Sequence, residues 1–210
     1  MFRRITLLTL PLACLALAAC DDTTGPEGNE LSASEAAALA LALDNASSSS
    51  VDTQADAPAQ SLSPSNGPSQ AVTTRTDDFE FSLPCPRGGT TTLGGEHVTI
   101  IDTTEGFITV DVTAAKGHDA CAFRTDEGVD VTVNGTLQFV AERELRAGLA
   151  SASNTHTGSL AYTTSDGKEG TCSIDITTAF TLTPGNATRT ILGSVCGHEV
   201  DVNTAWTHSS

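Results

Sequence analysis

A chain of 210 residues with a formal net charge of −16 has room for one domain and a tail, and its acidic surface excludes nucleic acid as a partner. Aromatic residues make up only 4% of the chain, so a core has to be assembled from Val, Ile, Leu and Ala and is modest in size.

The N-terminus begins with a basic pair, Arg3 and Arg4, followed by an apolar run from Ile5 to Ala19 broken only by Thr6, Thr9 and Pro11. That run falls short of the ~20 apolar residues of a spanning helix and ends in small residues, as a cleavable export signal does. It closes on Leu17-Ala18-Ala19-Cys20, a tetrad that resembles the lipobox of bacterial lipoproteins. The resemblance covers residues 1–22 and implies that Cys20 becomes the N-terminal residue and carries acyl chains, which hold the protein on a bilayer. An ordinary secretory signal cut after Ala19 would satisfy the small residues alone. Cutting before Cys20 removes Arg3 and Arg4 and no acidic residue, which takes the net charge from −16 to −18. Asp21-Asp22 resembles an inner-membrane retention signal whose meaning varies between bacterial groups, so the chain is expected on the cell membrane or the outer membrane, with its domain outside the cytoplasm.

Residues 21–30 contain no large apolar side chain and include Gly25-Pro26, a breaker of regular structure. Ser32 and Glu35 then stand at capping-box spacing before the helix formers Ala36 to Leu43, and Asp44-Asn45 closes a helix expected over about 32–44. A helix this short is marginal alone. Leu39 and Leu43 share one face, which either docks on the following domain or a partner, or leaves a lone fluctuating helix in a tether. From Ala46 to about Thr76 the Ser/Pro/Gln/Asp/Thr composition cannot bury enough apolar surface to offset chain entropy. The expectation is therefore a lipidated Cys20 and a flexible spacer over 20–76, with an r.m.s. reach of ~40 Å, ahead of a domain over 77–210.

Beyond Asp77 the pattern takes period two. Phe79, Phe81 and Leu83, then Ile108, Val110 and Val112, then Val129, Val131 and Val133, and finally Ile174 and Ile176 alternate with polar residues, as half-buried strands do. Turns are expected at Gly94-Gly95, Glu105-Gly106, Lys116-Gly117, Glu127-Gly128, Asp166-Gly167 and Pro184-Gly185-Asn186. Ala141 to Leu149 has helix formers yet sits between strand patterns, and the reading favours strand; Thr190 to Trp206 reads as a last hairpin. The fold class is all-β: an antiparallel meander of roughly eight to ten strands closing as a sandwich or a rolled barrel.

Four cysteines follow Cys20, and in an oxidising space two disulfides are the default. Of the three pairings, Cys85–Cys121 with Cys172–Cys196 is favoured because sequence neighbours in a meander tend to be spatial neighbours. Gly95-Glu96-His97-Val98 and Gly197-His198-Glu199-Val200 offer two imidazoles and two carboxylates, but adjacent residues on a strand face opposite ways, so each string brings at most one to a common site. Exposed polar residues beside turns account for them as well. His118 and His156 have no visible partner, and Asp126-Glu127 and Asp166 with Glu169 read as solvated turn tips without calcium-loop form. No G-x-S-x-G occurs, and the N-x-S/T triplets at Asn45, Asn134 and Asn186 read as chance matches. No catalytic residue, metal or cofactor is expected. The leading expectation is an envelope lipoprotein with a non-catalytic β domain in a structural or binding role, meeting the bilayer through Cys20 and an envelope protein or glycan through its surface. The alternatives are a carrier or sensor of an apolar small ligand inside a rolled sheet, and an envelope hydrolase.

Overall fold

The period-two pattern of the second half produces eight strands, and the Ala-rich stretch before them produces one helix. In the computed structural model, which describes residues 30–55, 72–147 and 149–207 and the side chains of all of these except 46–55, the elements are α1 (Ala33–Ala55), β1 (Val72–Pro84), β2 (Thr90–Asp102), β3 (Phe107–Arg124), β4 (Asp130–Arg146), β5 (Leu149–Thr164), β6 (Glu169–Thr183), β7 (Asn186–Val195) and β8 (His198–Thr207). Each strand pairs antiparallel with the next in one sheet, and β1 and β8 are its edges. The sheet is therefore a meander that does not close.

One face of every strand is the inward face. On β4 it carries Val131, Val133, Leu137 and Phe139, on β6 Cys172, Ile174 and Ile176, and on β7 Ile191 and Val195, all at most 1% exposed. Their neighbours in sequence are mostly exposed. Eight strands at ~4.8 Å spacing would make a flat sheet more than ~30 Å wide, whereas a helix with its side chains covers only ~10–12 Å. One helix cannot dry a flat face of that width, so the sheet curls around α1. Leu31, Ala36, Leu39, Ala40 and Leu43 join inward residues of β3 to β8 in one apolar cluster. A smaller cluster, Leu93, Val112, Ala114, Phe139 and Ala141, continues the interior toward β1 and β2.

A β-bulge makes β3 serve this interior along its whole length. Pairing with β4 shifts between His118 and Cys121, where two residues of β3 oppose Asn134 alone. The bulged Ala120 takes φ 47°, and its N–H donates to Asn134 Oδ1 at 2.7 Å. Because side-chain period is two, the extra residue switches parity: even-numbered residues up to His118 face inward, then Cys121 and Phe123 do. Without it Cys121 would point to solvent. With it, disulfides join Cys85 to Cys121 and Cys172 to Cys196, the neighbour pairing favoured from the sequence, and both sit at the end of the sheet that holds the β1–β2, β3–β4, β5–β6 and β7–β8 turns.

Several boundaries differ from those read in the sequence. Gly94-Gly95 and Lys116-Gly117 are not turns; they lie within β2 and β3, where Gly94-Gly95 pair with Ala115 and Ala114, and Lys116-Gly117 with Leu93 and Thr92. A Cβ on Gly95 would lie 2.2 Å from the Thr113 carbonyl oxygen, and one on Gly117 2.6 Å from Thr92 Oγ1, so these glycines permit close approach of two strands rather than a reversal. The strands are accordingly long. Turns do occur at Glu105-Gly106, Glu127-Gly128, Asp166-Gly167 and Pro184-Gly185, Ala141 to Arg146 continues β4, and the last hairpin is β7–β8. β1 starts at Val72, five residues before Asp77, because the uninterrupted β2 offers it a partner as far as Asp102.

The helix also differs. It runs through Asp44-Asn45 to Ala55, so 46–55 and 72–76 are regular structure and not spacer; 21–29 and 56–71 lie outside the described residues. Asp and Asn end helices when their side chains compete for nearby backbone groups. Here Arg189 forms an ion pair with Asp44 and donates to Asn45 Oδ1 at 3.1 Å, which removes that competition. Since Leu39 is fully buried against the sheet, Leu39→Ala should lower unfolding free energy by about 2–5 kcal/mol in urea titration. A midpoint equal to the parent's would show that α1 is not part of the cooperative unit.

Candidate functional site

The first turn of α1 is set by its capping box. Ser32 N–H donates to Glu35 Oε2 at 2.7 Å and Glu35 N–H to Ser32 Oγ at 3.3 Å, as the Ser-x-x-Glu spacing leads one to expect. Glu35 also accepts from Lys168 Nζ at 2.7 and 2.9 Å. Burial pushes the Glu35 carboxyl up, but the hydrogen bonds from Lys168 and Ser32 outweigh it and hold the group below its ordinary range. Leu31 contributes its carbonyl to His198 Nε2 at 2.7 Å. Deeper in the interior, Lys116 Nζ donates to the Leu43 carbonyl, beside the Asp44–Arg189 pair. Basic or imidazole groups from β3, the β5–β6 turn, β7 and β8 thus converge on α1 and the residues that lead into it.

These contacts decide what the interior can do. Lys116 is 1% exposed, and burial pulls its ammonium down to about 7, with Asp44 acting in the opposite sense. His118 and His156 also face inward; burial, with Lys116 nearby, lowers His118 to about 3, and burial with Lys116 and His118 lowers His156 to about 2. His118 Nδ1 lies 3.1 Å from Thr91 Oγ1, which in turn lies 3.2 Å from the Cys85 sulfur, and His156 packs 5.1 Å from the Phe139 ring. Both imidazoles are neutral at physiological pH and belong to the packing.

Between the half-buried flank of α1 and the edge of the sheet at β1–β3 runs a groove of ≈ 690 Å³. The helix supplies Ala37, Ala38, Leu41 and Ala42; the sheet supplies Leu83, Phe123 and the Cys85–Cys121 disulfide. Four exposed charged residues of its lining, Arg87, Arg124, Asp126 and Glu127, stand at the disulfide end and make that end its mouth. Both arginines are engaged by Asp130, Arg124 through two 2.8 Å hydrogen bonds and Arg87 at 3.5 Å. The groove is therefore an apolar trough with a mouth of balanced to acidic character, of a size that holds a small ligand or part of a larger one.

The residues singled out in the sequence are dispersed. His97 Nε2 lies 3.6 Å from Asp77 Oδ2 and beside Phe79 on β2, whereas His198 opens β8 and is occupied by Leu31; Glu96 and Glu199 are exposed on the opposite faces of their strands. Asp126, Glu127 and Asp166 sit in turns and Glu169 opens β6. Among the described residues no three or more His, Cys, Asp or Glu side chains gather as a metal site would require. Sequence reading missed Lys116, Lys168 and Arg189 as helix anchors. The available signal was scarcity: after Arg3 and Arg4 only eight of the ten Lys and Arg residues remain, and three of them reach α1.

Comparison with protein-family models, with curated proteins and with solved structures gives no match.

Lys116 and the buried imidazoles give a signed pH dependence. Unfolding returns Lys116 toward 10.5, so between pH 7 and 10.5 the unfolded chain binds the extra proton and stability rises with pH, with a slope approaching about 1.4 kcal/mol per pH unit. His118 and His156 return toward 6.5, so stability falls as pH drops from 6.5 toward 3. Urea midpoints at pH 5, 7 and 9 should therefore increase in that order, and Lys116→Met should flatten the step from 7 to 9. A parent midpoint unchanged between pH 7 and 9 would contradict the burial of Lys116.

Proposed function

We propose that the chain is an exported lipoprotein, held on the cell membrane or outer membrane by acyl chains on Cys20, and that its β domain is a non-catalytic binding module facing an envelope component, protein or glycan. The observation that carries the binding role is the groove: α1 occupies the interior where a reaction centre or an enclosed ligand would sit, and leaves one apolar trough of ≈ 690 Å³ open beside it. Lys116 and the buried imidazoles, which would be candidates for chemistry, are engaged with the helix or packed around it. Two disulfides suit an oxidising compartment, and an acidic surface suits attachment by acyl chains rather than by a basic face. No helix among the described residues is long and apolar enough to cross a membrane.

A second reading, a carrier or sensor of an apolar small ligand, draws on the same groove. It moves the ligand from the centre of a rolled sheet, where α1 lies, to the trough at its flank. The anchor also stands closer than the sequence reading has it. Cys20 itself lies outside the described residues, but α1 docks from Leu31 onward, so only ten residue steps separate Cys20 from Glu30, at most ~36 Å of chain.

Metabolic labelling with an alkyne fatty acid tests the anchor. The parent should take up label and fractionate with membranes, while Cys20→Ala should lose both and keep the circular dichroism of the folded domain. A Cys20→Ala variant that still labels would overturn the reading. Cross-linking in intact cells tests the binding role, which predicts one recurrent envelope partner at native abundance; a result with none counts against it.

A further inference from the structure

We infer that the groove beside α1 receives one hydrocarbon chain of a bilayer lipid whose head group carries no net negative charge. This rests on the reading that Cys20 is acylated, and it names the ligand class for the second reading, a carrier or sensor of an apolar ligand.

The helix supplies the first reason. Ala36 to Leu43 is an octet without a polar side chain. A helix that packs on one side only carries polar residues on the other, whereas one that is apolar all round is covered all round. Ala36, Leu39, Ala40 and Leu43 face the sheet at 0–2% exposure. Ala37, Ala38, Leu41 and Ala42 form a second apolar flank, half-buried, and that flank is one wall of the groove. The opposite wall, Leu83, Phe123 and the Cys85–Cys121 bridge, is apolar too and is fixed by a covalent cross-link, so the trough is preformed.

Position and charge select the occupant. The mouth opens at the disulfide end, where α1 begins and the chain leads back toward Cys20. With ten residue steps from Cys20 to Glu30, the start of α1 stays within ~36 Å of an anchoring bilayer, and a hydrocarbon chain is the abundant apolar ligand there. A phosphate or carboxylate head would need a cation at the mouth. Arg87 and Arg124 share the single carboxylate of Asp130, and with Asp126 and Glu127 beside them the group carries a net charge of −1 on a chain of net charge −16. Such a mouth repels a net anionic head and tolerates a zwitterionic or neutral one.

The acylated protein, reconstituted in phosphatidylcholine vesicles that contain a phosphatidylcholine with a diazirine on its acyl chain, is irradiated and its peptides are mapped by mass spectrometry. Adducts should concentrate on α1 around Ala37–Leu41 and on the Phe123 peptide. Ala37→Trp, which fills the trough from the helix surface, should cut the yield about tenfold while leaving the urea midpoint in place, and the smaller Ala38→Leu should cut it in part. A phosphatidylglycerol probe should label more weakly than the phosphatidylcholine one. Adducts confined to other peptides, a yield indifferent to both substitutions, or preference for the anionic probe would each overturn the inference. If Cys20→Ala gains groove label from the same vesicles and the acylated protein does not, the trough holds the protein's own acyl chain, and the bilayer source is wrong. The mass of the Cys20 peptide in the same digest reports acylation separately, so failure of the anchor and failure of the groove are distinguishable.

Discussion

A single sheet with one apolar face has to bury that face, and in this chain the burial depends on α1. The strands cannot do it alone: aromatic residues are 4% of the chain, and the sheet stays open between β1 and β8. Leu31, Leu39 and Leu43 supply what the strands lack, each worth roughly 1.5–3 kcal/mol when fully buried. In return the sheet stabilises a helix whose first turns would be marginal in water. Curl of the sheet, seating of the helix and position of the groove are one arrangement.

Polar contacts fix which way the helix lies. Apolar packing is non-directional, and a helix apolar all round could rotate or slide without great loss. Glu35 on Lys168, the Leu31 carbonyl on His198, the Leu43 carbonyl on Lys116 and Asp44 on Arg189 remove that freedom at three heights along the helix. Burying Lys116 and Asp44 is costly, and removing Arg189 would leave the Asp44 charge desolvated. Their role is orientation more than net stability. The orientation they impose turns Ala37, Ala38, Leu41 and Ala42 toward the open flank and so creates the groove.

The fold class was legible because alternation is a local property. Val129 to Val133 and Ile108 to Val112 announce strands without knowledge of their neighbours, and the turns that need positive φ, such as Gly106, Gly128 and Gly167, carry the residue that provides it. The capping box at Ser32 and Glu35 is local for the same reason. What failed was non-local. Gly95 and Gly117 look like turn glycines, and only the strand passing opposite shows that they are close-approach glycines. Asp44-Asn45 looks like a stop until Arg189, 144 residues beyond Asn45, takes its side chains. Lys116 looks like a hairpin lysine until α1 lies over it. The groove was not legible at all, since it is made by the flank of a helix that the sequence left undecided between docking and fluctuating, and by a disulfide wall whose inward aim depends on a bulge at Ala120.

The curl of the sheet and the groove both require α1 to be an integral part of the β domain, and native-state hydrogen exchange measures that directly. The amides of Leu39 to Leu43 should exchange only through global unfolding, with the same free energy as the central amides of β4 and β5. Exchange of those helix amides at a much lower free energy, while β4 and β5 keep full protection, would contradict this: the helix would come and go on a sheet that folds without it.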